Sequence, residues 1–159
     1  MTTIKFSLHD DDPSYEPQRA HADDACYDLF ARSFAFPEKL GEESETCFLP
    51  AGGRCLARTG VFLEMEAGWE ALVRPRSGNA LKLGMTVLNT PGTIDAGYRN
   101  EVGVILYNAG HSPLELGKGA KIAQIAFRPI PAHQLKRISR AEFAADTARN
   151  LNGFGSSGA

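Results

Sequence analysis

The sequence lacks the features that mark several large classes of protein. No apolar run among its 159 residues approaches the length of a membrane span, and the first residues show no hydrophobic signal region. The formal net charge is only −2, so nothing indicates a protein that coats a polyanion such as nucleic acid. We therefore expect a soluble, cytoplasmic protein with neither a membrane nor a nucleic acid as partner.

Patterns typical of metal sites and disulfide frameworks are missing as well. The three cysteines, Cys26, Cys47 and Cys55, form an odd set with no C-x-x-C spacing, which argues against both a disulfide framework and a zinc site. The four histidines are scattered along the chain, which argues against a histidine metal site. A reducing compartment is the natural setting for such a chain.

The chain contains many short apolar runs separated by turn residues. The clearest runs lie at residues 61–63, 71–73, 103–107 and 122–127. Runs of this length, spaced about ten residues apart, predict an all-β sandwich or barrel. The chain length suits one domain with a real core. A helical turn is expected at residues 79–82, and another at Ser139, where Ser139 and Glu142 fit a capping box.

Two polar segments look mobile. Residues 37–46 are acidic and predict an exposed loop. Residues 149–159 are rich in glycine around a single aromatic residue, Phe154, and cannot build a core of their own. The plain interpretation of this tail is a frayed terminus. The alternative is that its arginine, glycines and aromatic ring close over a phosphorylated ligand.

The stretch from Asn89 to Glu101 is the most informative part of the chain. Two glycines and a proline make it a turn between apolar runs, and it carries the carboxylate of Asp95 and the phenol of Tyr98. A carboxylate beside a ring could hold a water against a ligand. The ordinary alternatives are a turn aspartate that binds its own backbone, a core tyrosine and a turn-capping asparagine.

A second local signal lies at Arg76-Ser77-Gly78. The guanidinium of Arg76 can donate two hydrogen bonds to phosphate oxygens, and Gly78 lets backbone N–H groups approach an anion. Taken alone, the same residues are more often a surface turn.

Together these pieces resemble the trimeric dUTP pyrophosphatases, the dUTPase family. That family carries five ordered motifs, close to A-x-x-A-G-x-D-L, P-R-S-G, G-x-I-D-x-x-Y-R-G-E, G-D-R-I-A-Q and R-G-x-G-G-F-G-S-T-G. In this sequence they correspond to Ala22–Leu29, Pro75–Gly78, Gly92–Glu101, Gly119–Gln124 and Arg149–Gly158. The resemblance runs from about residue 22 to the end.

The resemblance implies a fold, an assembly and a reaction. The fold would be a jelly-roll-like β-barrel or sandwich, the dUTPase β-clip, over residues 1–148, followed by a flexible tail over 149–159. Three chains would form a homotrimer with shared active sites, each closed by a tail exchanged between subunits. The reaction would convert dUTP and water into dUMP and pyrophosphate, which limits uracil incorporation into DNA and supplies dUMP for dTMP synthesis.

The resemblance also assigns roles within the third motif and its neighbours. Asp95 would be the general base that activates the water attacking the α-phosphorus. Tyr98 would pack flat on the deoxyribose and exclude a 2′-hydroxyl. The uracil edge would be read by Asn89 together with backbone groups around Thr93, Ile94 and Gly103.

The remaining motifs would hold the triphosphate and its metal. The implied phosphate contacts come from Arg76, Ser77, Gly78 and Gln124. The implied tail contacts come from Arg149 on the γ-phosphate, Phe154 stacked on uracil, Gly155 and Ser156. Mg²⁺ is the implied cofactor, bound mainly by phosphate oxygens and waters, with Asp28 holding one of the waters.

Four departures from the family pattern stand out. Cys26 replaces a glycine of the first motif, which matters if that position needs a positive φ. Ala120-Lys121 replaces aspartate-arginine in the fourth motif, which is expected to remove an ion pair and to leave the motif dependent on Gln124. Asn150 and Asn152 replace glycines in the tail. Residues 37–46 look like an acidic insertion to which no role is assigned.

Three rival functions remain. A dCTP deaminase shares the fold but places a glutamate ten residues after the motif aspartate, where this chain has Ile105, a side chain that cannot move protons. A nucleotide-binding trimer without turnover would keep the pocket and lose the base. A plain β-sandwich interaction domain would make the ordered motifs a coincidence.

Overall fold

A computed structural model of the protein describes residues 3–143. Within these residues it contains eleven strands and one α-helix, together with three single-turn 3-10 helices. In chain order the elements are β1 (Lys5–Leu8), β2 (Tyr27–Phe30), β3 (Ser33–Ala35), β4 (Thr46–Leu49), β5 (Arg54–Glu64), β6 (Trp69–Arg74), α1 (Ser77–Leu83), β7 (Met85–Val87), β8 (Gly92–Asp95), β9 (Glu101–Asn108), β10 (Leu114–Gly117) and β11 (Lys121–Pro129). The 3-10 turns are His9–Asp11, Pro13–Tyr15 and Pro37–Lys39.

The strands form three antiparallel sheets. The first has the order β1-β5-β9-β7 with β3 added to β5, the second has the order β2-β11-β6-β8, and the third pairs β10 with β4. Each of the four apolar runs expected to be a strand lies within one, in β5, β6, β9 and β11. The prediction of an all-β fold is confirmed. No helix among residues 3–143 is long and apolar enough to cross a membrane.

The core lies where the first two sheets face each other. Along β9 the residues Val102, Val104 and Leu106 are buried, while the residues between them are partly exposed, as a half-buried strand requires. They join one apolar cluster with residues of the second sheet such as Val73 and Ile125. Full burial of each such side chain stabilises the fold by about 1.5–3 kcal/mol before entropy is counted.

Helix α1 confirms the helical turn predicted at residues 79–82. It ends at Leu83 and is capped by Gly84, which has φ of 67°. A Cβ atom at this position would lie 2.6 Å from the backbone nitrogen of Gly110, so a side chain fits neither the conformation nor the space.

The capping box at Ser139 is present, but residues 139–143 contain no helix, so the helical turn expected there is not found. The backbone N–H of Glu142 donates to Ser139 Oγ at 3.3 Å, and the backbone N–H of Ser139 donates to Glu142 Oε2 at 2.9 Å. The backbone N–H of Phe143 donates to the Arg140 carbonyl at 3.3 Å, so these residues form a turn.

The acidic segment 37–46 is exposed, as predicted, but it is anchored rather than loose. The backbones of Ser44 and Phe34 exchange two hydrogen bonds of 2.8 and 2.9 Å, and Thr46 begins β4. The Glu43 side chain turns inward, where it accepts hydrogen bonds from Ser33 Oγ at 2.6 Å and from Arg32 Nη2 at 2.9 Å. The expectation of a mobile loop is therefore wrong for the second half of the segment.

Glu43 belongs to a partly buried network of two glutamates and two arginines. The Arg58 Nε lies 2.8 Å from Glu43 Oε1 as an ion pair, although it lacks hydrogen-bond alignment. Glu101, whose side chain is only 7% exposed, accepts hydrogen bonds from Arg32 Nε and Arg58 Nη1, each at 3.3 Å, and from the backbone N–H of Gly60 at 2.7 Å. The network thus ties the acidic segment to the end of the third motif.

The charges in this network depend on one another. Burial opposes the ionisation of Glu43, but the hydroxyl of Ser33 and the guanidinium groups of Arg32 and Arg58 outweigh it and hold the pKa of Glu43 below its usual range. Burial also opposes the charge of Arg32, and Glu101 and Glu43 outweigh it, so that the pKa of Arg32 is raised. Glu43 and Arg32 therefore stay charged at neutral pH.

Removing the most buried charge should destabilise the protein strongly. Glu101→Gln leaves both arginines facing one carboxylate, and we expect a loss of roughly 3 kcal/mol in the free energy of unfolding. The matched control is Glu64→Gln, since the Glu64–Lys5 pair is 59% and 70% exposed and its removal should cost far less stability than the loss of Glu101. Urea unfolding at one protein concentration measures both, and equal losses would contradict the importance of the network.

Candidate active site

A polar cavity of about 340 Å³ lies between the segment before β2, the start of α1 and the middle of β11. Its lining includes five of the residues predicted from the sequence: Asp28, Arg76, Ser77, Gly78 and Gln124. Gln18, Ala20, Asp24, Ala25 and Cys26 complete the lining, and no local pattern in the sequence marks Gln18 or Asp24 as site residues.

The register of the second sheet explains why these residues meet. Gln124 in the middle of β11 lies opposite Asp28 of β2 on one side and opposite Arg74 of β6 on the other. Arg76 follows β6 by two residues and precedes the first residue of α1, so that the end of β6 carries it to the same place. Motifs that are far apart in the sequence therefore share one cavity.

Two hydrogen bonds fix the start of α1 against β11. The Gln124 side-chain amide donates to the carbonyl of Pro75 at 2.8 Å, and the Asn79 side-chain amide donates to the carbonyl of Lys121 at 2.8 Å. Ser77 and Gly78 stay exposed at the cavity, and a Cβ atom at Gly78 would meet nothing within 4 Å. The space in front of Gly78 is thus open to a ligand.

Asp28 is the most strongly held charge in the cavity. Its side chain is 13% exposed; Arg76 Nε donates to Oδ1 at 2.7 Å, Arg76 Nη2 lies 3.4 Å from Oδ2, and Lys121 Nζ lies 2.9 Å from Oδ2. Burial opposes its ionisation, but the hydrogen bonds from Lys121 and Arg76 outweigh burial and hold the pKa of Asp28 below its usual range. Asp28 is an anion with two cationic partners.

The ion pair of Lys121 corrects an expectation from the sequence. The fourth motif does not depend on Gln124 alone, because Lys121 reaches Asp28, and its ammonium also lies 5.6 Å from the centroid of the Phe30 ring. The pairing of β11 with β2, in which Lys121 lies opposite Phe30, brings the two charges together. The individual motifs do not predict this ion pair, because it depends on which strands are neighbours in the sheet.

Cys26 is compatible with the first motif. Among the non-glycine residues from 3 to 143, only Asp10 and Asp11 have a positive φ. Cys26 therefore takes an ordinary conformation, and the position does not require the glycine that is usual in the family.

The third motif forms a separate group of predicted site residues. After Asp95, at the end of β8, the backbone N–H of Tyr98 donates to the Asp95 carbonyl at 3.0 Å and closes a turn. The Tyr98 hydroxyl donates to the Glu101 carbonyl at 2.8 Å, which fixes the ring while leaving the residue 38% exposed. Asp95 is exposed at the same turn.

The residues predicted to read the base lie near the other end of this hairpin and on β9. Asn89 lies against Gly92, because a Cβ atom at Gly92 would be 3.3 Å from the Asn89 side-chain nitrogen. Thr93 is exposed on β8, and Ile94 packs partly into the core. Gly103 lies on β9, where a Cβ atom would come within 2.8 Å of Leu56 Cδ1, so that a larger residue would displace the end of the partly buried Leu56 side chain.

The two groups of residues do not meet within one chain. Asp28 lies on the edge strand β2 and Asp95 on the opposite edge strand β8, three strand spacings or about 14 Å apart. On β6, Asp95 lies opposite Glu70. Gln124, which pairs with Asp28, lies opposite Arg74 of the same strand. The separation between Glu70 and Arg74 adds an offset of about 13 Å along the strands. The two residues are thus about 20 Å apart. The predicted tail residues Arg149, Phe154, Gly155 and Ser156 lie outside the described residues.

Comparisons with known proteins identify the family of the chain. The family model described as dUTPase matches residues 13–158. A relative from Clostridium tetani, named deoxyuridine 5'-triphosphate nucleotidohydrolase, is 41% identical over 156 residues, which cover 98% of this chain and 97% of the relative. A protein of the same name from Beijerinckia indica is 51% identical over 113 residues, covering 71% and 69% of the two chains.

A solved structure shares the whole fold. The dUTPase of Staphylococcus bacteriophage 80alpha, in complex with dUPNHPP, superimposes with a TM-score of 0.80 at 26% identity and full coverage of both chains. The fold and the relatives define a β domain of the dUTPase type. The chain belongs to the dUTPase family.

Proposed function

We propose that the protein hydrolyses dUTP to dUMP and pyrophosphate in the cytoplasm, and so limits uracil incorporation into DNA while supplying dUMP for dTMP synthesis. The observation that carries the proposal is that one chain presents both a polar cavity lined by Arg76, Ser77 and Gly78 and, separately, a hairpin with an exposed carboxylate and a held aromatic ring. The relatives named for this activity and the phage dUTPase solved with dUPNHPP support the same substrate.

The proposed active site is shared within a homotrimer. The separation of about 20 Å between Asp28 and Asp95 is too large for one triphosphate site in a single chain, so the missing half of each site comes from another copy. Exposed apolar side chains support such an assembly: Leu81 is 87% exposed, and Leu135, Ile138 and Phe143 beyond β11 are 93%, 44% and 52% exposed. The tail 149–159 would close a site on a neighbouring subunit.

Asp95 is the proposed general base. It would take a proton from a water whose oxygen bonds to the α-phosphorus, while the bond from that phosphorus to the bridging oxygen breaks and pyrophosphate leaves. Tyr98 would lie flat under the deoxyribose, since its hydroxyl is already bound to the Glu101 carbonyl and cannot swing toward the ligand. A ribose 2′-hydroxyl would collide with this ring. The uracil pocket would be formed by Asn89, Thr93, Ile94 and Gly103.

The cavity around Arg76 is the proposed phosphate site. Arg76 would offer its paired donors, with Ser77, Gly78 and the free amide hydrogen of Gln124 beside it. The lid would be completed by the tail, with Arg149 on the γ-phosphate, Phe154 stacked on the base, and Gly155 and Ser156 beside them.

Mg²⁺ is the proposed cofactor, and the described residues offer it few protein ligands. Among residues 3–143 no group of three or more histidine, cysteine or carboxylate side chains could enclose a metal ion. Asp28 is the one carboxylate of the predicted site inside the cavity, and it would hold a metal-bound water rather than the ion itself. When bound, Mg²⁺ would neutralise charge on the phosphate oxygens.

A nucleotide panel tests the proposed reaction. Purified protein with Mg²⁺ should release pyrophosphate from dUTP, and far less from dCTP, dTTP or UTP, because the base pocket and the Tyr98 ring exclude them. Ammonia release from dCTP would identify a deaminase instead, although Ile105 has no proton to give. Binding of dUTP without any product would favour a nucleotide-binding trimer, and the absence of both would favour an interaction domain.

Replacing the proposed base should separate binding from turnover. Asp95→Asn keeps the shape of the side chain and removes the proton acceptor, so kcat should fall about 10²–10⁴-fold while nucleotide affinity stays within a few fold. Asp10→Asn is the control, because Asp10 is an exposed carboxylate in a left-handed conformation that asparagine tolerates. Near-normal turnover of the Asp95 variant would remove this residue from its proposed role.

The tail can be tested by truncation. A chain ending at residue 148 should lose most of its activity on dUTP, because the lid is gone, but should keep the mass of the trimer in sedimentation experiments. An unchanged rate would mean that residues 149–159 take no part in catalysis.

A further inference from the structure

Asp28 has two cationic partners that come from different elements. Arg76 comes from the end of β6 and makes contacts of 2.7 and 3.4 Å, while Lys121 comes from the start of β11 and makes a contact of 2.9 Å. At 13% exposure the carboxylate has little contact with water, and in this structure it holds both cations. One of the two cations can therefore move away while the other still neutralises the Asp28 carboxylate.

Arg76 is the partner suited to leave. It lies beside Ser77 and Gly78 at the open part of the cavity, and its planar guanidinium matches a phosphate group as well as it matches a carboxylate. The donors that would meet phosphate are the same donors that now contact Asp28 at 2.7 and 3.4 Å. An anion that enters the cavity therefore competes with Asp28 for Arg76.

Lys121 is the partner suited to stay. Its backbone carbonyl accepts a hydrogen bond from the Asn79 side chain, and its ammonium lies 5.6 Å from the centroid of the Phe30 ring, where no phosphate contact is proposed. Without Lys121, a turn of Arg76 toward phosphate would leave Asp28 ionised, poorly hydrated and next to a second anion. Asp28 would then retain Arg76 and repel the incoming phosphates.

We propose that Lys121 is a positioning residue for the phosphate cavity, which neutralises Asp28 so that Arg76 can exchange its carboxylate partner for phosphate. This role for Lys121 rests on the proposed phosphate site. It requires neither that dUTP is the substrate nor that Asp95 is the base.

A double-mutant cycle measured by binding tests the proposal. The probe is inorganic tripolyphosphate in titration calorimetry without nucleotide, so that a failure of dUTP hydrolysis leaves the result interpretable. Lys121→Met should weaken tripolyphosphate binding about tenfold, whereas in an Asp28→Asn background the same change should weaken it less than about threefold. The difference arises because an uncharged amide at position 28 neither retains Arg76 nor repels the probe.

Two further variants separate positioning from a general loss of charge or structure. Lys121→Arg keeps a cation at the same place and should restore binding to within about twofold of the wild-type affinity. Lys118→Met removes an exposed lysine three residues away, which pairs with Glu45 outside the cavity, and should leave binding unchanged. Thermal unfolding of every variant identifies any that fail to fold, and Lys121→Gln then replaces Lys121→Met.

Two results would overturn the proposal. Equal losses for Lys121→Met with and without the Asp28 carboxylate would do so, because Lys121 would then act on phosphate directly. An unchanged affinity in Lys121→Met would do so as well, because Asp28 would then need no second partner.

Discussion

The order of the strands in the second sheet is the constraint on which the proposed site depends. Since β11 and β6 lie between β2 and β8, the cavity of Asp28 and Arg76 forms on one edge, and the hairpin of Asp95 and Tyr98 forms on the other. No side-chain rotation spans the resulting distance of about 20 Å. In the proposed function, each of these two groups is half of an active site and meets the other half on a different copy of the chain.

A second feature of the structure is that its most buried carboxylates are neutralised by pairs of cations. Two carboxylates with little exposure each have two cations around them: Asp28 has Arg76 and Lys121, and Glu101 has Arg32 and Arg58. In the Glu101 network this arrangement holds the end of the third motif and, through Glu43, gives the acidic segment 37–46 a structural role. In the cavity the same arrangement leaves one cation free to exchange its partner.

Much of this could be predicted from the sequence. The short apolar runs predicted strands, residues 79–82 predicted the helix, and the ordered motifs predicted five residues that do share a cavity. The rest depends on pairing between distant strands, which local patterns do not encode. Lys121 meets Asp28 only because β11 lies beside β2 in one register, and Glu43 meets Glu101 only through arginines of two other segments. The expectations about Lys121 and residues 37–46 were wrong for that reason.

Subunit mixing tests the shared active site most directly. Two inactive variants, Arg76→Ala and Asp95→Asn, would be co-expressed with different affinity tags, and assemblies that carry both tags would be purified and assayed with dUTP. If each site combines Arg76 of one chain with Asp95 of the next, every mixed trimer has one of its three sites, or about a third, restored to wild-type composition. Mixed assemblies as inactive as either parent would contradict the account, because both residues would then have to come from the same chain.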